Sequence, residues 1–100
     1  MLALIFDVET TGLPKKRKAD IFEFSNWPDI VQISWLIFNV TNGKIISIND
    51  HIIKLQKGKK IPESAINIHG ITNEIMREKG ENIIDILNKF NKDLMESQII

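Results

Sequence analysis

The sequence contains no cysteine among its 100 residues. This excludes disulfide bonds, cysteine nucleophiles and thiolate zinc sites, and it is compatible with a reducing compartment. An excess of one charge is also missing, because 13 basic residues balance 13 acidic ones. That balance argues against a protein that binds nucleic acid through bulk charge. Local patches of charge therefore have to be considered one by one.

Long apolar runs are absent as well. No segment reaches the roughly 18 apolar residues of a membrane span. Asp7 and Glu9 interrupt the apolar N-terminus before the core of a signal peptide could form. We therefore expect a soluble, cytoplasmic protein with no membrane partner. Hydrophobic residues still make up 43% of the chain, which is enough to form the core of one small domain.

Three stretches read as strands. The apolar run at residues 2–8 predicts a buried strand, and the β-branched and aromatic run IVQISWLIFNV at residues 30–40 predicts a second. Asn42-Gly43 predicts a two-residue hairpin turn in which both residues take positive φ. A third strand, antiparallel to the second, should then occupy residues 44–55. Its alternation slips near Asn49-Asp50, which predicts a bulge there.

The rest of the chain reads as helical. Pro62 can open a short helix over residues 62–67, and Thr72 can cap a second one that Gly80 ends. Apolar residues then recur at helical spacing and predict an amphipathic helix over residues 82–97. Residues 98–100 look like the start of a fourth strand. The expected fold class is α/β, with a three-stranded antiparallel meander followed by a packing helix.

The stretch FDVETTGL at residues 6–13 carries the first candidate site. Asp7 and Glu9 are two residues apart in a strand, so their side chains can converge on one side. Paired carboxylates suit Mg²⁺ or Mn²⁺, although a solvated strand end would also explain them. Thr10, Thr11 and Gly12 add hydroxyls, backbone N–H groups and a permissive turn that a nucleotide could approach closely.

Three segments, taken in order, resemble a known family. FDVETTGLP at 6–14, WPDIVQISW at 27–35 and IHGIT at 68–72 are similar to the DEDD-type (DEDDh) 3′→5′ exonucleases, which include the proofreading subunits of replicative polymerases. The resemblance implies the N-terminal half of a ribonuclease H-like domain. It also implies a metal-dependent 3′→5′ exonuclease that releases nucleoside monophosphates from a single-stranded DNA or RNA 3′ end. A ribonuclease H-type endonuclease would share the carboxylate-ended strand but fits Glu-Thr-Thr-Gly and His-Gly-Ile-Thr poorly.

The resemblance implies roles for eight residues. Asp7 and Glu9 would be the catalytic metal ligands for Mg²⁺ or Mn²⁺. The residues expected to bind substrate are Thr10, Thr11, Gly12, Leu13, Ile68 and His69. Among them Leu13 would pack against the terminal base, and Ile68 and His69 would line the pocket for the 3′-terminal nucleoside. For His69 the alternative is a surface histidine that caps the turn.

The family's active site contains more catalytic residues than Asp7 and Glu9 provide. It uses four carboxylates and a histidine base, and its His-Asn…Phe-Asp and His-x₄-Asp motifs do not occur in residues 1–100. We expect Asp85 and Asp93 on the solvated face of the last helix. The two-metal site would then be incomplete.

We therefore expect a truncated exonuclease domain over residues 1–100 that is inactive alone, as a fragment, a split-gene product or a remnant. Its partner could be a second polypeptide with the missing motifs, or a polymerase. The alternative is a non-catalytic nucleotide-binding or nucleic-acid-binding interaction module derived from the same fold.

The basic run PKKRK, from Pro14 to Lys18, allows three interpretations. It could contact phosphate groups, it could be a solvated loop, or it could act as a nuclear-localisation signal, which would add the nucleus to the expected location. Because the run directly follows the carboxylate motif, phosphate contact or plain solvation is favoured over an import signal. Short basic runs of this kind are weak evidence by themselves.

Overall fold

Three strands form one antiparallel sheet in the computed structural model, which describes residues 1–100. β1 spans Leu2–Thr10, β2 spans Ile30–Asn39 and β3 spans Lys44–Ile52. β2 lies in the centre and pairs with both neighbours. The predicted meander is therefore confirmed, with β1 reaching two residues further than the apolar run suggested.

Three helices follow the sheet. α1 spans Glu63–His69, α2 spans Asn73–Lys79 and α3 spans Ile83–Glu96. The predicted caps are present, because the Thr72 hydroxyl accepts a hydrogen bond from the Ile75 N–H at 3.2 Å and Asn82 Oδ1 accepts from the Ile84 N–H at 2.9 Å. No helix is both long and apolar enough to cross a membrane.

The helices pack on one side of the sheet, here called the covered face. It buries Ile33, Trp35 and Ile37, the alternate residues of β2, against Leu4 of β1 and Ile86 of α3. A second cluster joins Val31 of β2 to α1 and α2. The opposite side, here called the open face, carries the intervening residues of the three strands and has no helix on it.

Asp93 does not lie on the solvated face of α3, as the sequence suggested. Trp35 is only 2% exposed, and its indole N–H donates to Asp93 Oδ2 at 2.8 Å. A buried indole N–H needs an acceptor, and Asp93 supplies it from the half-buried side of the helix. Asp85 is exposed, as expected.

The hairpin between β2 and β3 differs in detail from the prediction. Residues 40–43 form the connection, and only Gly43 has positive φ, at 71°. Asn42 contributes through its side chain, which accepts a hydrogen bond from the Lys44 N–H at 3.0 Å. The predicted two-residue turn with two positive φ angles is therefore wrong, because the Asn42 side-chain bond stabilises a longer loop.

The bulge is also elsewhere. The register shifts between Ile37 and Phe38 of β2, which pair with Ser47 and Ile45, so that Ile46 is the extra residue. No shift occurs at Asn49-Asp50, where the sequence predicted one. Polar Asp50 interrupts the alternation there because it lies on the open face and accepts hydrogen bonds from β2.

Residues 98–100 behave as the predicted start of a fourth strand. Ile99 forms a parallel bridge with Ala3. The Leu4 N–H donates to the Ile99 carbonyl at 2.8 Å, and the Gln98 N–H donates to the Leu2 carbonyl at 3.0 Å. Beyond this bridge the outer edge of β1 pairs with no other strand, which leaves the second half of β1 open along its edge.

Candidate functional site

A cleft of about 410 Å³ lies where the end of β1 meets α1. The segment after the strand and the helix are far apart in sequence, yet both contribute to its wall. Six of the eight residues predicted to form the site line it: Glu9, Thr10, Gly12, Leu13, Ile68 and His69. Asp7 and Thr11 lie next to the cleft without lining it.

The two carboxylates have no cationic partner. The β1–β2 register places Asp7 opposite Ser34 and Glu9 opposite Gln32, two positions apart on the open face. Asp7 Oδ1 accepts a hydrogen bond from the neighbouring Val8 N–H at 2.9 Å. The ion pairs of the structure all involve other residues. Two negative charges thus stand side by side at the strand end, free to bind a cation.

The turn after β1 is shaped by its own hydrogen bonds. The Thr10 hydroxyl donates to the Gly12 carbonyl at 2.9 Å, and Gly12 has a φ of 154° with no atom near the place of a Cβ. Glycine reaches this region of φ without the cost that a side chain would add. The turn therefore leaves the mouth of the cleft clear of side chains at this position.

Thr11 fastens the turn to the start of β2. Its N–H donates to the Asp29 carbonyl at 3.0 Å, and its hydroxyl accepts from the Asp29 N–H at 3.0 Å. Thr11, one of the residues predicted to bind substrate, therefore has its hydroxyl engaged by Asp29 and does not line the cleft. Its observed contacts hold the two segments together.

His69 joins α1 to the end of β1. Its Nδ1 accepts a hydrogen bond from the Ile71 N–H at 3.0 Å, because a backbone N–H can only donate. In the neutral ring Nε2 then carries the proton and donates to the Thr10 carbonyl at 3.2 Å. His69 therefore caps the turn after α1 and also lines the cleft, while its contact with a terminal nucleoside stays a prediction.

The donor set fits one side of a divalent-cation site. Mg²⁺ is commonly held by one or two carboxylates together with phosphate oxygens and water, and Asp7 and Glu9 match that pattern. The structure contains no cluster of three or more potential metal-ligating side chains. Asp50, also on the open face, lies two strands from β1 and accepts from Gln32 and Ser34 at 2.8 Å each. Any further ligands of a cation at Asp7 and Glu9 would have to come from phosphate, water or another segment.

The sequence interpretation missed three lining residues, Val8, Ser64 and Ala65. Val8 belongs to β1 itself. Ser64 and Ala65 lie on α1, and with Ile68 and His69 they occupy positions i, i+1, i+4 and i+5. Residues at this spacing share one side of a helix. Projecting residues 62–69 as a helix would have placed all four together from the sequence alone.

A larger cavity, of about 460 Å³, lies between residues 54–60 and α2. Five cationic side chains line it: Lys54, Lys57, Lys59, Lys60 and Arg77. Lys59 is paired with Asp29 at 3.1 Å. The cavity has neither a carboxylate nor a hydroxyl in its wall, so the groups suited to metal-assisted chemistry lie in the smaller cleft.

Comparisons with known proteins identify the family and the fold. The family model of the RNase T exonucleases, described as "Exonuclease", matches residues 4–100. No curated protein sequence matches the chain. Among solved structures, the nuclease domain of 3′hExo, a DEDDh family member bound to rAMP, has a TM-score of 0.67 at 16% identity, covering 98% of this chain and 46% of that one.

Two further structures show the same fold. Cell-death related nuclease 4 (CRN-4) has a TM-score of 0.66 at 16% identity and covers 95% of this chain. A 3′-exonuclease that recognises the 3′ end of a histone mRNA stem-loop has a TM-score of 0.66 at 17% identity, over 95% of this chain. The chain spans 30% of the first and 39% of the second. The predicted fold class, the N-terminal part of a nuclease domain, is confirmed.

Proposed function

Because the chain belongs to the RNase T exonuclease family, we propose that its cleft binds the 3′-terminal nucleotide of single-stranded DNA or RNA for metal-dependent 3′→5′ exonucleolytic cleavage. The observation that carries the proposal is that residues from two distant segments meet at one site. Residues from the turn after β1 and from α1 form one cleft beside two unpaired carboxylates. Neither segment could build such a site by itself.

The cleft offers separate surfaces for the parts of a nucleotide. Leu13 is 90% exposed and Ile68 is 83% exposed, so both present apolar surface on which a base can pack. Thr10 and Gly12 line the cleft at the turn, where they lie in position to contact the sugar, while the Thr10 hydroxyl holds the turn through Gly12. We assign His69 a positioning role, because its two ring nitrogens are engaged by Ile71 and Thr10.

Asp7 and Glu9 would hold Mg²⁺ or Mn²⁺. When bound, the metal would neutralise phosphate charge and lower the pKa of a coordinated water. Without it, the two carboxylates would repel a phosphodiester group. Nucleotide binding is therefore expected to require a divalent cation.

The residues described here are expected to bind without turning substrate over. They supply two carboxylates and no cluster of three metal ligands, and both nitrogens of His69 are engaged. Groups that act as one catalytic unit are strongly non-additive. We propose that residues 1–100 form the N-terminal part of an exonuclease domain. A second segment or polypeptide would supply the further carboxylates that complete its site, and a polymerase could be an associated partner.

Calorimetric titration of a nucleoside 5′-monophosphate tests the proposed site. We expect binding in the presence of Mn²⁺, no binding in its absence, and loss of binding in Asp7→Asn and Glu9→Gln. Leu13→Ala should weaken binding by removing the apolar surface. Ile48→Thr on the open face serves as the matched control and should bind normally. Equal binding by wild type and Asp7→Asn would contradict the proposal.

The lack of a third metal ligand favours one alternative, a module that binds nucleotides without chemistry. Digestion of a 5′-labelled single-stranded oligonucleotide, resolved on a gel, separates the two. We expect no shortening by these 100 residues alone, and shortening from the 3′ end once a polypeptide carrying the family's later motifs is added. Nucleotide binding without such rescue would favour the binding module. Turnover by the chain alone that disappears in Asp7→Asn would show that its own residues complete the site.

A further inference from the structure

The loop at residues 14–27, here called the basic–aromatic loop, combines a run of basic residues with exposed aromatic side chains. Lys15, Lys16, Arg17 and Lys18 are consecutive, and with Asp20 and Glu23 they give the loop a net charge of +2 in a chain of net charge zero. None of the four cations takes part in an ion pair. Their charge is therefore available to an anionic partner.

Exposed aromatic rings stand beside these cations. Phe22 is 73% exposed and Phe24 is 76% exposed, and Ile21 between them and the cations is exposed as well. The two rings meet edge to face with their centroids 6.3 Å apart. Neither ring packs into the two hydrophobic clusters of the domain. Large apolar side chains grouped in this way on a surface are typical of interaction sites.

The loop is held in shape by hydrogen bonds. Asn26, which is buried, accepts at Oδ1 from the Lys16 N–H at 2.6 Å and donates from Nδ2 to the Lys16 carbonyl at 3.2 Å. The Trp27 indole N–H donates to the Asp20 carbonyl at 3.1 Å. These contacts clamp the loop across its base, so the aromatic side chains point outward from a folded segment.

Both ends of the loop are attached to the cleft. It begins directly after Leu13, which lines the cleft. It ends two residues before Asp29, whose backbone makes two hydrogen bonds with Thr11 in the turn. A nucleic-acid strand that leaves the cleft on this side would therefore meet the cations and the aromatic rings of the loop.

We propose that the basic–aromatic loop binds the single-stranded nucleotides next to the terminal one, with Phe22 and Phe24 stacking on bases and Lys15 to Lys18 contacting phosphates. This extends the proposed function and rests on it for the position of the terminal nucleotide. Aromatic stacking combined with basic side chains is how single strands are bound without sequence preference. The loop would give the site a preference for oligonucleotides over mononucleotides.

Fluorescence anisotropy with a labelled oligonucleotide of roughly ten nucleotides, within the site sizes of single-strand binders, tests the loop directly. The chelator EDTA keeps the strand intact and makes the reading independent of the metal site. Phe22→Ala/Phe24→Ala should weaken binding at least about tenfold, because stacking on one ring already contributes about that much. Ile48→Thr should bind like wild type.

Two further measurements distinguish base stacking and phosphate contacts from a loss of binding caused by misfolding of the loop. The wild type already has Trp27 in the loop and Trp35 in the core, so its fluorescence change with oligonucleotide is the baseline. In Phe24→Trp, the oligonucleotide should quench the fluorescence further than in the wild type. Replacing Lys15 and Lys16 by alanine should flatten the dependence of log K on log salt by about 0.7 for each lost phosphate contact. An unchanged salt slope, together with no quenching beyond that of the wild type, would overturn the proposal.

The controls distinguish this proposal from the proposed function. If mononucleotides bind the cleft with Mn²⁺ but the loop variants leave oligonucleotide affinity unchanged, the loop proposal fails and the proposed function stands. If the loop variants reduce oligonucleotide binding while no mononucleotide binds, the loop proposal stands and the cleft proposal fails. Binding of vesicles of anionic phospholipid that is lost in Phe22→Ala/Phe24→Ala, without oligonucleotide binding, would overturn the loop proposal in favour of a membrane surface.

Discussion

The covered face and the open face of the sheet are built from the same three strands, but one is buried beneath helices and the other is exposed. On the covered face, Ile33, Trp35 and Ile37 are buried beneath the helices. On the open face, the row formed by Ile5, Leu36 and Ile48 leaves Ile48 70% exposed. Because neighbouring residues of a strand point to opposite sides, one strand can serve both purposes.

The difference shows that the hydrophobic core lies on one side of the sheet, whereas the two carboxylates lie on the other, at the edge where the cleft meets α1. The open face also carries Asp7 and Glu9 at the end of β1, in rows with Ser34 and Gln32. Carboxylates with no partner would be costly on the covered face. On the open face Asp7 is exposed and Glu9 is half-buried, so both stay within reach of solvent and of the proposed cation. The covered face should therefore determine the free energy of unfolding, and the open face should tolerate substitution.

The largest effect is expected for Trp35→Ala. This change removes a ring that packs against Phe90 at 5.3 Å between centroids, and it leaves Asp93 without its indole donor. We expect a loss of about 4 kcal/mol in the free energy of unfolding, measured by urea denaturation. A loss below about 1 kcal/mol, the cost typical of an average substitution, would mean that the covered face is not the main core.

A matched pair of substitutions compares the two faces directly. Ile37→Thr places a hydroxyl in the core beside Leu4 and Trp35, and we expect it to cost about 2–3 kcal/mol. Ile48→Thr places the same hydroxyl on the open face and keeps a β-branched side chain, so its cost should stay within about 0.5 kcal/mol. Thermal or urea unfolding of both variants measures the contrast. Equal losses at the two positions would show that an unidentified contact covers the open face.

A smaller effect is expected at the start of α3, the helix that covers the sheet. Asn82 Oδ1 accepts from the N–H groups of Ile84 and Asp85, at 2.9 and 3.3 Å. Asn82→Ala removes this cap and should cost about 1 kcal/mol, whereas Asn82→Asp should retain most of the stability. Urea denaturation of the two variants provides the check. A loss of the same size in Asn82→Asp would speak against a capping role.

The regular elements could be predicted because their patterns are local. The β-branched run of β2 and the helical spacing of α3 each extend over ten or more residues, so a few exceptions do not hide them. Thr72 and Gly80 marked the ends of α2 through their own side chain and backbone. The motif residues of the cleft were predicted through a family resemblance, and the structure brings most of them together.

What could not be predicted depends on contacts between distant segments. Asp93 was read as solvated because nothing in α3 reveals the indole of Trp35 above it. The hydroxyl of Thr11 is engaged by Asp29, the residue just before β2. The exposure of Phe22 and Phe24 follows from the way Asn26 closes their loop, and a loop has no periodicity that would have indicated it.

The central claim is that Asp7 and Glu9 form one side of a divalent-cation site at the cleft, and paramagnetic Mn²⁺ tests it most directly. In nuclear magnetic resonance spectra of the labelled protein, bound Mn²⁺ broadens signals of nearby nuclei. We predict broadening centred on residues 7–10, extending to His69, that disappears in Asp7→Asn/Glu9→Gln while the fold is unchanged. Broadening centred on Asp50 or on α3, or broadening that survives the double substitution, would contradict the claim.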